Sequence, residues 1–279
     1  MESDSARSKR MASLARLRSS NEESSQVARS VVSFGYSEDQ NRNYRDSMED
    51  RHKIIDNFLE NPYQGYFAIF DGHGGFEASE FCKNFFHDEF RKNLSIKNTI
   101  REVFHDTFKN IDEIFRARNF LALGTTATIC YIRKEGAERV LYTANVGDSH
   151  AVLVNSRGVE RLTTEDRPSN PREVERIKKS GGIISSGRVG GQLSITRALG
   201  DTMLKTSGLI SEPHLSRRVI VPNDLYLIIA SDGLWDSVNE SELRNISGRN
   251  CLEIANGLVQ KALQAGSVDN TSVIVVKLN

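Results

Sequence analysis

Hydrophobic positions along the chain fall into two patterns, short apolar runs and longer stretches with helical spacing. The runs Gly65-Tyr66-Phe67-Ala68-Ile69-Phe70 and Leu225-Tyr226-Leu227-Ile228-Ile229-Ala230 are rich in β-branched and aromatic side chains, which predicts two buried strands. Similar segments predict a first strand over residues 31–36, another over 51–55, three more over 125–132, 140–146 and 150–155, and a last one over 272–278. Turns at Lys134-Glu135-Gly136 and Gly147-Asp148-Ser149 separate the middle strands. Between the early strands and this group, Ala78, Phe81, Cys82 and Phe85 mark one face of an amphipathic helix. Ile100, Val103, Phe104, Phe108, Ile111 and Phe115 mark a longer one, and this phenylalanine stripe reads as core. A third helix opens at Pro171, runs through Ile177 and closes at Ser180-Gly181-Gly182, and a glycine-rich stretch follows as far as Gly200-Asp201. Residues 251–263 predict a fourth helix with Leu252, Ala255, Leu258, Val259 and Ala262 on one side. Consecutive strands joined by turns, with helices in pairs, predict an α+β sandwich and not an alternating β-α-β fold.

Composition divides the chain unevenly. Of its 279 residues 38% are hydrophobic, and the Ser- and Arg-rich first stretch, residues 1–29, dilutes that fraction. It lacks a sustained period and reads as a disordered tail, leaving residues 30–279 as one domain. Serines follow basic residues in Lys9-Arg10-Met11-Ala12-Ser13 and Arg16-Leu17-Arg18-Ser19, a pattern that suits a phosphorylated or targeting arm, although a solvated tail is the simpler reading. The 37 basic and 37 acidic side chains balance, so no net field favours phosphate backbones or anionic lipid, and neither a nucleic-acid nor a membrane partner is expected. Cys82, Cys130 and Cys251 form no C-x-x-C pair, which argues against zinc and against a disulfide framework. With no signal-peptide core and no long apolar stretch, a soluble cytoplasmic monomer is expected, and the basic tail leaves nuclear entry open.

Acidic residues stand where the apolar runs begin or end. Met48-Glu49-Asp50, Asp71-Gly72-His73-Gly74-Gly75, Ser231-Asp232-Gly233 and Asp269-Asn270-Thr271 each place a carboxylate beside a strand. One Asp-Gly pair is most often a turn, but several carboxylates held rigidly at strand tips would repel one another unless cations intervened. The donors are all oxygen, from Glu49, Asp71, Asp232, Asp269 and carbonyls at the glycine turns, and they suit Mg²⁺ or Mn²⁺. Gly72 and Gly233 would let the backbone turn where a Cβ could crowd an ion. Four or more carboxylates exceed the needs of one ion, so a pair about 3.5–4 Å apart is expected, as in sites for in-line phosphoryl displacement.

The motifs occur together and in order. Arg45-Asp46-Ser47-Met48-Glu49-Asp50, Phe70-Asp71-Gly72-His73-Gly74-Gly75, Gly124-Thr125-Thr126-Ala127, Asn145-Val146-Gly147-Asp148-Ser149, Arg197-Ala198-Leu199-Gly200-Asp201, Ser231-Asp232-Gly233-Leu234-Trp235-Asp236 and Asp269-Asn270-Thr271 resemble the metal-dependent (type 2C, or PPM) Ser/Thr protein phosphatases, from about Phe34 to Leu278. The resemblance implies a four-layer α-β-β-α sandwich, two central antiparallel sheets flanked by helices, with the metal site at one end. It implies that Asp71 bridges two ions, that Asp232 and Asp269 complete one, and that Glu49 and the Gly72 carbonyl hold the other. Asp50 would orient water at the site, Arg45 would clamp the phosphate, and His73 would protonate the departing Ser or Thr oxygen. Asp148 with Asp232 would make a weaker third metal site. The implied activity is hydrolysis of phosphoserine and phosphothreonine in phosphorylated protein substrates, by direct attack of metal-activated water.

Three positions depart from the family pattern. His150 stands where Gly-Asp-Ser is usually followed by Arg, Asp166 stands for the histidine of Asp-His-x-Pro, and Thr196 stands for the serine before Arg197-Ala198. Arg188 and Arg197 are expected to brace the glycine-rich segment in preference to contacting phosphate, and the flap that tunes specificity is expected within residues 167–190. Two other readings are open: an inactive scaffold of the same fold, which should have lost metal carboxylates or Arg45, and a metal-dependent phosphodiesterase or nuclease, which the neutral charge disfavours.

Overall fold

A computed structural model describes residues 30–246 and 250–279, so the tail expected over 1–29 lies outside the described residues. In chain order the strands and helices are β1 Ser33–Asp39, β2 Arg51–Asp56, β3 Gly65–Phe70, β4 Gly72–His73, α1 Glu77–Ile96, α2 Ile100–Ala117, β5 Gly124–Thr125, β6 Ala127–Glu135, β7 Glu138–Val146, β8 His150–Asn155 and β9 Gly158–Arg161. They continue as α3 Pro171–Lys179, β10 Ile184–Ser185, β11 Arg188–Val189, β12 Leu199–Gly200, β13 His214–Val219, β14 Asp224–Ala230, α4 Asp232–Trp235, α5 Cys251–Gln264 and β15 Thr271–Lys277. Two five-stranded sheets, in the orders β1-β15-β14-β8-β9 and β13-β7-β6-β3-β2, are antiparallel throughout.

Side-chain alternation explains why the strands read as continuous apolar runs. Successive residues of a strand point to opposite faces, and here both faces are covered. In β3, Tyr66, Ala68 and Phe70 face α1 and α2, packing with Phe86, Phe90, Phe104 and Phe108. Phe67 and Ile69 face the other sheet, meeting Leu227, Ile229, Ile274 and Val276. The remaining residues of the second sheet, among them Ile228, Ala230, Val273 and Val275, pack on Ile254, Ala255, Leu258 and Val259 of α5. The layers are therefore helix, sheet, sheet, helix, the expected α-β-β-α sandwich. Capping is local: Thr99 and Glu102 form a capping box at the start of α2, and Asn170 caps α3 with Pro171 in its first turn.

Several boundaries differ from the sequence pattern. The strand expected over 125–132 is broken at Thr126, whose N–H donates to the Asp71 carbonyl at 2.8 Å and so cannot join a ladder. β9, β13 and the short α4 have weak apolar patterns and were not expected. Phe85, expected on the buried face of α1, is 50% exposed, while its neighbour Phe86 is fully buried. The buried face of α1 steps in fours from Ala78 through Cys82 and Phe86 to Phe90, a choice that the Phe85-Phe86 pair leaves undecided until α2 and β3 are docked. Phe86→Ala is expected to cost about 3–5 kcal/mol in urea denaturation, and Phe85→Ala about 1 kcal/mol or less. Equal losses would show that the helix face is misassigned.

Candidate metal centre

Both sheets deliver acidic residues to the same end of the sandwich. Asp71 follows β3, Asp148 lies in the turn from β7 to β8, and Asp232 opens α4 directly after β14. One carboxylate oxygen from each lies within 4.8 Å of the others. The backbone holds Asp71 firmly: its N–H donates to Thr126 Oγ at 3.1 Å and its carbonyl accepts from Thr126 N–H and from Thr125 Oγ at 3.1 Å. Asp232 is placed by a close backbone approach. A Cβ on Gly233 would come within 2.1 Å of the Asn270 carbonyl, so only glycine lets α4 abut the loop before β15. Protein backbone thus crowds this glycine, a constraint the sequence did not show.

The electrostatics of the cluster are unfavourable without a cation. Burial, then the neighbouring Asp50, Asp232, Asp148 and Asp269 charges, push the Asp71 carboxyl well above the usual range. Burial and the Asp148, Asp269 and Asp236 charges do the same to Asp232. Burial raises Asp148 too, although the Arg167 guanidinium opposes the shift. Asp50 is buried behind them and pushed up to about 6, chiefly by burial. Its Oδ2 accepts from Ser231 Oγ at 2.7 Å, whereas its buried Oδ1 has no hydrogen-bond partner among the described residues. An all-oxygen donor set, mutual repulsion and an orphaned buried acceptor together fit hard divalent cations such as Mg²⁺ or Mn²⁺.

Other expected site residues lie around this cluster. The Glu49 carboxylate accepts from Ser47 Oγ at 2.8 Å and Gly75 N–H at 3.2 Å, and its carbonyl accepts from Gly72 N–H at 3.3 Å. The Asp269 carboxylate is paired with Arg45, whose side chain is 47% exposed and also donates to the Val268 carbonyl at 3.3 Å. Glu49 and Asp269 thus lie outside the three-carboxylate cluster, although the Asp269 charge reaches it. His73 Nε2 lies 2.6 Å from Oδ2 of buried Asp201, a partner the sequence reading quoted in a motif without giving it a role. Gly124 is the local signal for this pair, because a Cβ there would lie 2.0 Å from Asp201 Oδ2 and 2.4 Å from His73 Nε2. Two further residues were also missed: Arg167 and Asp236 pair with each other at 2.9 Å.

The departures from the family pattern have structural partners. His150 is buried, stacks on Trp235 with centroids 4.1 Å apart, and sets Nε2 2.7 Å from Glu240 Oε1. Asp166 is fully buried, and His214 of β13 brings an imidazole Nε2 2.9 Å from its Oδ1. Arg197 is 8% exposed and engages Glu173 through Nη2 at 2.7 Å and Nε at 3.1 Å, in accord with bracing. Arg188 is exposed and donates to the Gln192 carbonyl at 2.7 Å, within the same glycine-rich segment.

The fold is that of the class the sequence resembles, the metal-dependent Ser/Thr protein phosphatases. The family model described as Protein phosphatase 2C matches residues 34–271, and the chain belongs to that family. It is 36% identical over 263 residues to "Protein phosphatase 2C homolog 1" of Saccharomyces cerevisiae, covering 88% of this chain and 92% of the relative. It is 33% identical over 278 residues to the "Integrin-linked kinase-associated serine/threonine phosphatase 2C" of Mus musculus, covering 84% and 70%. Among solved structures, a C. elegans sex determining protein superposes with a TM-score of 0.77 at 25% identity, over 88% of this chain and 65% of that one. A serine-threonine phosphatase 2C from Toxoplasma gondii, with a TM-score of 0.72 at 19% identity over 88% and 94%, shares the fold.

Proposed function

We propose that residues 30–279 form a catalytic domain that hydrolyses phosphoserine and phosphothreonine in proteins. The observation that carries this reading is the meeting of Asp71, Asp148 and Asp232 within 4.8 Å at one end of the sandwich, in a chain of the protein phosphatase 2C family. Asp71, Asp232 and Asp269 on one side, and Glu49, Asp71 and the Gly72 carbonyl on the other, would hold two Mg²⁺ or Mn²⁺ ions. Such ions supply Lewis-acid charge to the phosphoryl oxygens and acidify the attacking water.

This chain's own residues do the rest. Arg45 engages the phosphoryl oxygens with its planar guanidinium, for which its exposed position on Asp269 is suited. His73, with Nε2 fixed by Asp201, hands a proton to the departing alkoxide. The three cysteines are all buried, and burial raises their thiols, so none offers the reactive thiolate of a cysteine-based phosphatase. An inactive scaffold would have lost metal carboxylates or Arg45, and Glu49, Asp71, Asp232, Asp269 and Arg45 are all present. A monomeric cytoplasmic enzyme without nucleic-acid or membrane partners belongs to the same proposal, in keeping with the balanced charge.

Phosphate release from a phosphothreonine peptide tests the proposal, measured with EDTA, Mg²⁺ or Mn²⁺ and repeated with Asp71→Ala. Release that needs a metal and vanishes in the variant is expected. Folded protein that releases no phosphate with either metal would overturn the phosphatase reading in favour of a binding scaffold.

A further inference from the structure

Two large apolar side chains stand exposed close to His73. β5 is the middle strand of a small sheet, with β4 on one side and β12 on the other. His73 of β4 pairs with Gly124, and Gly124 pairs with Gly200 of β12. Backbone hydrogen bonds carry the second pairing past both strands: Asp201 N–H donates to the Leu123 carbonyl at 3.0 Å, and Met203 N–H to the Leu121 carbonyl at 3.2 Å. Leu121 therefore lies beside Met203, which follows by two residues the Asp201 whose carboxylate holds His73. With successive Cα atoms about 3.8 Å apart, Met203 is at most about 8 Å from Asp201, and Leu121 at most about 11 Å from Gly124. Leu121 is 52% and Met203 49% exposed. We propose that Leu121 and Met203 form an apolar foothold that selects phosphoprotein substrates with a large apolar side chain two or three residues from the phosphorylated one. This inference rests on the proposed phosphatase activity with His73 as proton donor.

The occupant follows from where the reaction takes place. A phosphorylated side chain whose leaving oxygen meets His73 brings the rest of its own peptide across the surface around that histidine. An extended peptide advances about 3.3 Å per residue, so its second or third residue from the phosphorylated one reaches the Leu121–Met203 pair. Each polar side chain from Asp201 to Thr206 already has a protein partner. Asp201 Oδ2 lies on His73, and Thr202 Oγ donates to the Phe120 carbonyl at 2.9 Å. Lys205 Nζ donates to the Ala198 carbonyl at 2.9 Å and pairs with Asp112 at 2.9 Å, and Thr206 Oγ donates to the Met203 carbonyl at 3.4 Å. Leu121 and Met203 offer a ligand only hydrocarbon and a thioether, so a charged residue pressed on them loses water without gaining a partner. An unbranched, polarisable methionine moulds to apolar groups of different shape, so the preference is for apolar bulk and not for one residue type.

The test measures kcat/KM of the full-length protein with Mn²⁺ on phosphothreonine peptides that carry Leu or Asp two or three residues before or after the phosphothreonine. In at least one of these positions the wild type is expected to prefer Leu about ten-fold, chiefly through KM. Met203→Lys is expected to reverse that preference, and Leu121→Ser to reduce it about three-fold. The Leu-to-Asp ratio is taken within one enzyme, so a general loss of turnover cancels, and both side chains are half-exposed, so neither change opens the core. Equal kcat/KM for Leu and Asp peptides at every position overturns the inference, as does a Leu preference that Met203→Lys leaves intact. A wild type that elutes as a dimer from size-exclusion chromatography, with Met203→Lys eluting as a monomer, would assign the pair to a second copy of this chain and also overturn it. Folded wild type that hydrolyses neither the peptides nor p-nitrophenyl phosphate, an ester with no flanking residues, would overturn the phosphatase reading itself, and this inference with it.

Discussion

Asp71→Asn is expected to abolish most metal-dependent phosphate release while making the metal-free protein more stable. Asp71 lies within 4.8 Å of Asp148 and Asp232, and two unit charges about 4 Å apart repel by about 4 kcal/mol at an effective dielectric of 20. That repulsion, added to burial, is why the Asp71 carboxyl is held well above its ordinary 3.8. A carboxyl raised in the folded state contributes its stability below the unfolded value and loses it as pH climbs through the folded one. At neutral pH in EDTA the wild type therefore carries a cost that asparagine removes, so the metal-free variant should melt at the higher temperature. In a protein of this size each kcal/mol moves the melting temperature by about 2–4 °C. The gain should fade below about pH 4, where Asp71 is protonated in both states. With Mg²⁺ or Mn²⁺ present the order should reverse, because wild type gains binding energy that the variant has lost. Turnover should fall at least roughly a thousand-fold, the equivalent of about 4 kcal/mol in the barrier. Thermal melts with and without EDTA, alongside phosphate release, check both halves. A metal-free variant less stable than wild type would mean that Asp71 serves the fold and not a cation.

Arg197→Ala should act through the fold. Its guanidinium grips Glu173 at 2.7 and 3.1 Å, donates to the Glu212 carbonyl at 2.7 Å and lies 3.4 Å from Asp166 Oδ1. Truncation leaves two buried carboxylates short of a countercharge, a change that typically costs about 3–5 kcal/mol. Arg176, 2.7 Å from Glu173 Oε2, softens the loss and places the expectation at the lower end. The pH dependence identifies the partner. Burial would raise Glu173, but hydrogen bonds and charge from Arg197 and Arg176 outweigh it and push its pKa down from 4.5 to about 2. A lowered carboxyl contributes stability above its unfolded value and loses it as pH falls through the folded one, here between about 4.5 and 2. That acid-side slope should shrink in Arg197→Ala. Urea denaturation at pH 7 and pH 3 measures both effects. Unchanged stability with a raised KM for a small phosphate ester would instead assign Arg197 to phosphate contact.

Much of the architecture was legible because its causes are local. Both faces of β3 and β14 are buried, so their sequences are continuously apolar, and the capped, proline-opened α3 declares its own start. The site was legible as a set of residues but not as an arrangement. Asp71 and Asp232 meet Asp148 in one cluster, whereas Glu49 turns to Ser47 and Gly75, and Asp269 pairs with Arg45. The sequence carried no clue to which of Phe85 and Phe86 is buried, since either satisfies helical spacing.

By itself the sequence determined the α+β class, the positions of the long buried strands, the oxygen-only chemistry of the acidic positions and the family. These follow from periodicity, turn residues and motifs, all properties of short stretches of chain. Tertiary structure alone decided which acids converge, that Asp201 holds His73, that Arg197 braces Glu173, and that Arg167 stands among Asp148, Asp232 and Asp236. Each of these contacts joins segments from different sheets or loops. Their distances depend on how the two sheets pack face to face, and no local pattern of hydrophobic and polar residues specifies that packing.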